Sequence, residues 1–320
     1  MVDVLVIPDG AAQPVRPGVP TALQAARTPV LDALAADGTV LRVATTPAGW
    51  PAGSETGIPA LLGAAPAAPV GRGRVDAAAH GIDVPDGLIA WRADLRYANG
   101  RRASVRQARD VCAHMRGWAF SIGGHRLVLV AAARPQDRRM LGLRLTVWDD
   151  GASLSGPLPV PTTVVAARGA AAGCARLLGA GVVVPGGATG DVDSDLRSKA
   201  QAAIGAVAAG AERVVVHVGA PDEAAHRRDP EGVVAALERL DAELVAPLRD
   251  LVGAQGGRLV VCPDHGTDPA TGAHDGAPVP AVLWGAGVTA SGPDRLDERA
   301  AGECRVVEPV ALLPLVAEAA

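Results

Sequence analysis

The sequence predicts an α/β protein in which a smaller α+β domain is inserted into a larger α/β domain. Short apolar runs typical of buried strands alternate with helical patterns at both ends of the chain. From about residue 66 to about residue 195, arginines and prolines are denser and apolar residues alternate with polar ones. This change favours an antiparallel sheet with hairpins. We therefore expect a core domain of residues 1–65 and 196–320 and an inserted domain of residues 66–195.

The predicted elements follow in order along the chain. An apolar run predicts a first strand at 2–8, and a helical pattern at 21–37 ends at Gly38, a residue that commonly closes helices. A second strand is expected at 40–45. The later elements are paired strands at 125–133 and 141–148, a helix at 196–209, a strand at 214–218, a helix at 230–251, strands at 258–262 and 280–285, and a terminal helix at 307–319.

Composition and charge argue against several classes of protein. Aromatic residues make up 2% of the chain, so the core must be built from valine, leucine, alanine and isoleucine. The net charge of −4, without a basic stripe interleaved with aromatics, argues against a nucleic-acid surface. No apolar run has the length of a membrane span. The 4 cysteines are far apart and form no CxxC pair, which fits a reducing cytoplasm. We expect a cytoplasmic protein, and its oligomeric state stays open.

Aspartate and histidine side chains lie just after predicted strands or in a loop rich in glycine and proline. Each alone is compatible with an ordinary turn residue, and His217, inside a predicted strand, is interpreted as structural. The carboxyl ends of neighbouring strands in an α/β sheet converge on one crevice, so the joint pattern predicts two adjacent sites. Their ligand types suit two divalent metal ions, Mn²⁺ or Zn²⁺. The predicted ligands are Asp9, Asp222, His226, Asp264, His265 and His274.

Ser54 lies in PAGSETGIPALLG, a glycine-flanked turn that opens onto an apolar, helical stretch. One interpretation is a helix N-cap serine. The other is a nucleophile, because a helix N-terminus stabilises an alkoxide or a phosphate and a metal ion would depress the pKa of the hydroxyl. The two roles are compatible. With the predicted metal sites, Ser54 indicates a phosphoryl-transfer enzyme.

Many ordered motifs together resemble those of a known family. They are VIPDGAA, AARTPVLDALAADG, PAGSETGIPALLG, GRGRVDAAAHGI, WRAD, GHRLVLV, VPGGATGDVDSDLRSKAQAA, VHVGAPDEAAH, ALERLDAELVAPL, VCPDHGT and HDGAPVP. With them the chain resembles, nearly end to end, the archaeal-type cofactor-independent (2,3-bisphosphoglycerate-independent) phosphoglycerate mutases of the alkaline phosphatase superfamily. The resemblance implies an alkaline phosphatase-like three-layer α/β/α sandwich with an inserted smaller α+β domain.

The resemblance also implies a role for each matching residue. Ser54 would bridge to the second of the two metal ions and become phosphoserine. Lys199, the one lysine of the chain, would act in catalysis and contact the substrate. The residues matching positions that embrace the substrate's phosphate and carboxylate are Arg92, Arg126 and Lys199, with Arg72 a weaker match. The implied metal ligands are Asp222, His226 and His274 for one ion and Asp9, Asp264 and His265, with Ser54, for the other.

The chain departs from the family in its middle part. A proline-histidine-aspartate motif and a long helical stretch that usually precede the segment LTVWDDG are absent. Asp94 stands where asparagine is usual, and Gly232 stands where lysine is common. Asp94 is also a candidate for the base that deprotonates the acceptor hydroxyl. We therefore expect a complete phosphoserine-forming core and a rebuilt substrate-enclosing domain.

Three hypotheses for function follow. The first is a metal-dependent phosphotransferase that interconverts 2- and 3-phosphoglycerate, a small phosphorylated substrate. The second is a phosphatase or phosphotransferase with the same core that acts on another phosphorylated or phosphonate metabolite. The third is a metal-binding protein without catalysis, against which Ser54 and the complete ligand set argue.

Overall fold

A large mixed sheet and a smaller antiparallel sheet organise the chain. The structure is a computed structural model and describes residues 2–154, 156, 158, 160–309 and 312. In chain order the strands are β1 (Asp3–Pro8), β2 (Thr39–Val43), β3 (Ile89–Arg96), β4 (Ala119–Ser121), β5 (Arg126–Ala131), β6 (Arg138–Met140), β7 (Leu143–Val147), β8 (Thr162–Val165), β9 (Gly181–Val183), β10 (Arg213–Val218), β11 (Arg258–Val261), β12 (Gly266–Asp268), β13 (Ala273–Asp275), β14 (Val279–Gly285) and β15 (Val306–Val307).

Helices separate most of these strands. They are α1 (Ala22–Ala25), α2 (Pro29–Asp37), α3 (Ser54–Leu62), α4 (Arg72–His80), α5 (Val105–His114), α6 (Ala170–Leu177), α7 (Leu196–Ala208), α8 (Ala220–His226), α9 (Pro230–Leu240) and α10 (Ala246–Ala254), with a π-helical segment at Asp241–Val245 and a 3₁₀ turn at Ala300–Glu303. Among the described residues, no helix combines the length and the apolarity that a membrane crossing needs.

The large sheet has the strand order β15-β2-β14-β11-β1-β10-β8-β9 within the described residues. Its central strands β11, β1, β10 and β8 are parallel, whereas β14 runs antiparallel to both of its neighbours. The central strands are rich in valine and other apolar residues because helices cover both faces of the sheet. The carboxyl ends of β1, β10 and β11 therefore lie side by side.

Helices on both faces of the large sheet make three layers. Leu5 and Ile7 of β1 pack in one core with α3, α4 and α6. Val4 and Val6, which point to the opposite face, pack in a second core with α2, α7, α9 and α10. Successive side chains of a strand point to opposite faces, so one apolar strand supplies both cores. The expected α/β/α sandwich is confirmed.

The smaller sheet has the strand order β4-β5-β3-β7-β6 and is antiparallel throughout. One face packs on α5 through Trp91, Leu95, Leu127 and Leu145. Part of the other face packs on α4 through Ala90, Val128 and Val130. The alternating runs predicted at 125–133 and 141–148 become β5 and β7 of this sheet.

The segment 66–195 contributes to both sheets. β8 pairs with β10 and with β9 in the large sheet, and α6 packs in the core of that sheet. The smaller sheet therefore occupies a shorter stretch, 89–147, than the inserted domain expected at 66–195. The strands β8 and β9 were not predicted, because runs of three or four residues are too short to show a clear hydrophobic period.

Three predicted helices differ from the structure. The helix expected at 21–37 is divided into α1 and α2, because Thr28 precedes Pro29 and the proline ring disfavours helical geometry at the residue before it. The helix expected at 230–251 contains the π-helical segment between α9 and α10. Of the helix expected at 307–319, residue 307 lies in β15, and positions 310, 311 and 313–319 lie outside the described residues.

Glu298 holds the loop that follows β1. Its carboxylate accepts hydrogen bonds from the backbone N–H of Gln13 at 2.7 Å and from the hydroxyl of Thr21 at 2.6 Å. Burial raises the pKa of Glu298 from 4.5 to about 7, against the opposing effect of the Thr21 hydrogen bond. The folded protein therefore holds this proton at a pH where the unfolded chain has lost it.

We expect the stability contributed by protonated Glu298 to be lost as the pH rises from about 4.5 to about 7. Glu298→Gln, which cannot ionise, should therefore gain about 1–3 kcal/mol in unfolding free energy relative to wild type between pH 5 and pH 8. Denaturant melts of both proteins at the two pH values measure this change. A difference independent of pH would contradict it.

Candidate metal centre and phosphoryl-transfer site

One cluster of carboxylates and imidazole forms where β1 and β11 end side by side. Asp9 follows β1, and Asp264 and His265 follow β11. His265 Nε2 lies 3.1 Å from Asp9 Oδ1 and 3.7 Å from Asp264 Oδ2. Asp264 and His265 are fully buried, and Asp9 is nearly so. Ligand atoms of these three residues all lie within 4.8 Å of one another, which is close enough for a single cation.

A second cluster lies beside the first. Asp222 and His226 are one turn apart on α8, which follows β10, and His274 comes from β13. His226 Nε2 is 3.2 Å from Asp222 Oδ2 and 3.1 Å from His274 Nε2. The ligand atoms of this group also lie within 4.8 Å of one another. The rings of His265 and His274 have centroids 4.2 Å apart, so the two clusters are immediate neighbours.

Backbone carbonyls orient all three histidines toward the clusters. The Nδ1 atoms of His226, His265 and His274 lie 2.9, 3.0 and 2.9 Å from the carbonyl oxygens of Gly272, Gly266 and Ala52. An Nδ1–H that donates to a carbonyl leaves the lone pair of Nε2 for a metal ion. The two facing Nε2 atoms of His226 and His274 would then both be acceptors. A cation between them would satisfy both.

The first cluster also fits a cation. Asp264 Oδ2 and His265 Nε2 are buried, and among the described residues neither makes a well-aligned hydrogen bond, although His265 Nε2 lies 3.1 Å from Asp9 Oδ1. Burial, and then the charge of Asp9, raise the pKa of Asp264 to about 7. Two buried carboxylates this close repel each other, and a divalent ion relieves that repulsion. The donor sets, carboxylate oxygens with imidazole nitrogens, suit Mn²⁺ or Zn²⁺. Metal binding by these residues stays a prediction.

Ser54 is the first residue of α3 and follows the N-cap residue Gly53. Its Oγ donates to the Asp9 carboxylate, whose oxygens lie 3.4 and 3.5 Å away. Gly57, one turn later, packs against the backbone of Asp264, where an added methyl group would collide with the carbonyl oxygen. This close approach brings the N-terminus of α3, and with it Ser54, to the first cluster.

The arginines predicted to bind substrate lie together near the same place. Arg72 pairs with Glu55 at 2.8 Å and with Asp76 at 3.3 Å. Arg92 is buried, and it pairs with Asp76 at 2.6 Å and with Asp94 at 3.0 Å. Carboxylates of the chain therefore already engage both of these guanidinium groups.

Arg126 is the most open of the three arginines. Its side chain is 40% exposed, and its nearest carboxylate is Glu223 at 3.7 Å. Burial, and then the neighbouring positive charge of Arg92, lower the pKa of Arg126. Glu223 directly follows Asp222, and Glu55, the partner of Arg72, directly follows Ser54. Arg72 and Arg126 therefore lie close to the metal clusters, because each contacts a glutamate that is next in sequence to a site residue.

Two other predicted residues occupy different environments from those expected. Asp94 is held by Arg92, and its Oδ2 lies 3.5 Å from His125 Nε2. Burial raises the pKa of Asp94, but His125 and Arg92 together lower it to about 2, which does not suit a base. Lys199 is fully buried, and its Nζ donates to the carbonyl oxygen of His217 at 2.6 Å. Lys199 therefore contacts the backbone of His217, whose side chain contacts Asp9, and its own side chain is not open to a substrate.

His217 contacts the site, although its position inside a predicted strand had indicated a structural role. Its Nε2 lies 3.2 Å from Asp9 Oδ2. It pairs with Ile7 in register, near the end of β10. A histidine this close to the carboxyl end of a central strand was the signal that could have identified it. The alternation of side chains along β10 does not show which residue of β1 lies beside His217. That requires the register between the two strands.

The chain is similar in sequence to known metalloenzymes, as the two candidate metal clusters lead one to expect. A family model described as "Metalloenzyme superfamily" matches residues 1–317. A "probable 2,3-bisphosphoglycerate-independent phosphoglycerate mutase" of Geobacter sulfurreducens is 28% identical, over 83% of this chain and 86% of the relative. A 2,3-bisphosphoglycerate-independent phosphoglycerate mutase of Methanothermobacter thermautotrophicus is also 28% identical, over 87% of each chain.

Solved structures share the fold. A protein from Pyrococcus horikoshii superposes with a TM-score of 0.85 at 22% identity, over 99% of this chain and 97% of the other. A cofactor-independent phosphoglycerate mutase from Thermoplasma acidophilum gives 0.66 at 19% identity, over 99% of both chains. The resemblance expected from the ordered motifs is confirmed, and the chain belongs to the metalloenzyme superfamily.

Proposed function

We propose that the chain is a metal-dependent phosphotransferase that interconverts 2- and 3-phosphoglycerate through a phosphoserine at Ser54. The observation that carries this proposal is the position of Ser54 Oγ, 3.4 Å from Asp9 at the edge of two adjacent three-ligand clusters. The names of the relatives from G. sulfurreducens and M. thermautotrophicus support the choice of substrate.

The predicted ligands would hold two divalent ions, Mn²⁺ or Zn²⁺, in the two clusters. Such ions, when bound, neutralise phosphoryl oxygens and lower the pKa of a nearby hydroxyl. The remaining contributions come from the chain itself. Ser54 stands at the N-terminus of α3, where the helix dipole favours the negative charge of an alkoxide or a phosphate.

Ser54 Oγ would attack the phosphorus of the substrate, and the bond between phosphorus and the glycerate oxygen would break. The hydroxyl proton of Ser54 leaves, and the departing glycerate oxygen takes up a proton. In the second step the other hydroxyl of the same glycerate loses its proton and attacks phosphorus. The bond between phosphorus and Ser54 Oγ breaks, and Oγ takes up a proton, which regenerates Ser54. Arg126, open and cationic, is suited to hold the glycerate carboxylate while the molecule reorients.

Two observations favour a second function, a phosphatase or phosphotransferase with another phosphorylated or phosphonate substrate. Arg92 is already paired with Asp76 and Asp94, so it has less capacity for a substrate carboxylate. Where the resemblance implies a longer segment before LTVWDDG, only Leu141 and Gly142 connect β6 to β7. A mutase must keep water from the phosphoserine, and a smaller enclosing domain does this less well.

³¹P NMR of the metal-loaded protein with 3-phosphoglycerate, without added bisphosphoglycerate, tests the proposal. We expect the resonance of 2-phosphoglycerate to appear and to stay absent in a sample treated with a chelator. Free phosphate would instead favour the phosphatase. No change with either metal would rule out phosphoglycerate as the substrate.

A further inference from the structure

Positive charge is concentrated in the part of the chain that forms the smaller sheet. Residues 89–147 contain twelve arginines and three aspartates, with no lysine and no glutamate, although the whole chain has a net charge of −4. Two of these arginines, Arg92 and Arg126, belong to the candidate site. The others are not used by the proposed reaction, so their arrangement needs a separate explanation.

Four of these arginines stand directly opposite one another on adjacent strands. Arg139 of β6 pairs with Arg144 of β7, and Arg144 pairs with Arg96 of β3. On the other side of β3, Arg96 pairs with Arg102. Paired residues of antiparallel strands point to the same face, with Cα atoms about 5 Å apart. These four residues, here called the arginine row, therefore form one line about 15 Å long.

The arginine row is open to solvent and poorly neutralised. Arg102, Arg139 and Arg144 are exposed, and the side chain of Arg96 is 42% exposed. Arg96 lies 3.8 Å from Asp94. Across the described part of the chain, no carboxylate forms an ion pair with the other three. Like charges directly opposite in a sheet are destabilising, and an anionic ligand would remove that cost.

Asp94 separates the row from the candidate site. It lies on the same face of β3 as Arg92 and Arg96, between them, and it is paired in register with Arg126 and Thr146. Its pKa is lowered to about 2, against the effect of burial, so it carries a negative charge at neutral pH. A continuous anionic chain that ran from Arg92 to the row would have to pass this carboxylate. The row therefore suits a ligand separate from the reacting substrate.

We propose that the arginine row is a binding site for a linear oligophosphate, distinct from the phosphoryl-transfer site. A guanidinium group offers a planar fork that matches two oxygens of a phosphate. Four such groups in a line provide for several phosphates, more than the single phosphate of a phosphoglycerate. The rings of Tyr97 and Trp118 already stack with the guanidinium groups of Arg101 and Arg138, so these faces are not free to stack with bases. Nucleic acid is therefore a less favoured ligand.

Isothermal titration of the full-length, metal-loaded protein with inorganic tripolyphosphate tests the assignment. Magnesium is kept in excess over the probe so that the probe does not remove the site metals. We expect the double variant Arg139→Gln/Arg144→Gln to raise the Kd at least about tenfold. The same variant should melt at a higher temperature than wild type at low salt, because like-charge repulsion across the strands is reduced.

Arg106→Gln/Arg109→Gln is the matched control. It removes the same charge from the exposed surface of α5, on the opposite side of the smaller sheet, and should change the Kd less than about threefold. Equal weakening in both double variants would overturn the proposal, because only general attraction would then remain. Tighter binding of polyglutamate or of an oligonucleotide to the row would overturn the oligophosphate assignment. Cleavage of tripolyphosphate, seen by ³¹P NMR, would overturn its separation from the catalytic site.

Discussion

Ser54→Ala is expected to lower kcat for phosphoryl transfer at least about a thousandfold, because alanine removes the oxygen that would accept the phosphoryl group. The folded state should change little, since the Ser54 hydroxyl makes only long contacts to Asp9 at 3.4 and 3.5 Å. Turnover of the substrate identified by ³¹P NMR, measured together with metal content and melting temperature, separates the two effects.

Ser194→Ala provides a matched control for that experiment. The Ser194 hydroxyl is buried and, among the described residues, has no hydrogen-bond partner, and Ser194 belongs to neither metal cluster. Its removal should leave both kcat and metal content close to wild type. Activity retained in Ser54→Ala, with metal bound, would show that Ser54 is not the nucleophile. It would also revive the hypothesis of a metal-binding protein without catalysis.

Gly57→Ala is expected to destabilise the fold by about 1–3 kcal/mol and to weaken metal binding. A methyl group at this position would collide with the carbonyl oxygen of Asp264, so α3 must move away from the first cluster. Alanine usually stabilises a helix relative to glycine, which makes the expected sign opposite to the intrinsic preference. Denaturant unfolding and titration with Mn²⁺ or Zn²⁺ measure the two effects.

Gly205→Ala in α7 is the matched control, because a methyl group there meets nothing within 4 Å. That variant should gain about 0.5–1 kcal/mol in stability and should bind metal like wild type. If Gly57→Ala behaved in the same way as Gly205→Ala, the close packing of α3 on Asp264 would not be what positions Ser54.

Much of the fold could be predicted because its elements carry local signals. The runs at 2–8, 214–218 and 258–262 are largely apolar, and they become β1, β10 and β11, which are covered on both faces. The ligands that follow these strands could be grouped because parallel strands end at one edge of a sheet. The division between α1 and α2 also had a local signal, Thr28 before a proline, although the prediction of one helix at 21–37 missed it.

Other features depend on contacts between distant residues. Asp241, in the π-helical segment, accepts hydrogen bonds from the backbone N–H groups of Val30 and Leu31 at the start of α2. Nothing near Asp241 in the sequence indicates that partner. β8 likewise joins the large sheet through pairing with β10, and β9 joins it through pairing with β8; their own short sequences do not decide between the two sheets.

The α/β class, the apolar strands and the residue types of the two metal sites were predictable, because they depend on composition, periodicity and position relative to a strand end. The fold was needed to show that His217 contacts Asp9, that the buried Lys199 donates to the carbonyl oxygen of His217 and that four arginines form one row. Each of these depends on strand register or on the approach of one layer to another. A shift of one residue in register reverses the face on which a side chain lies, and that register is set by packing across the whole fold.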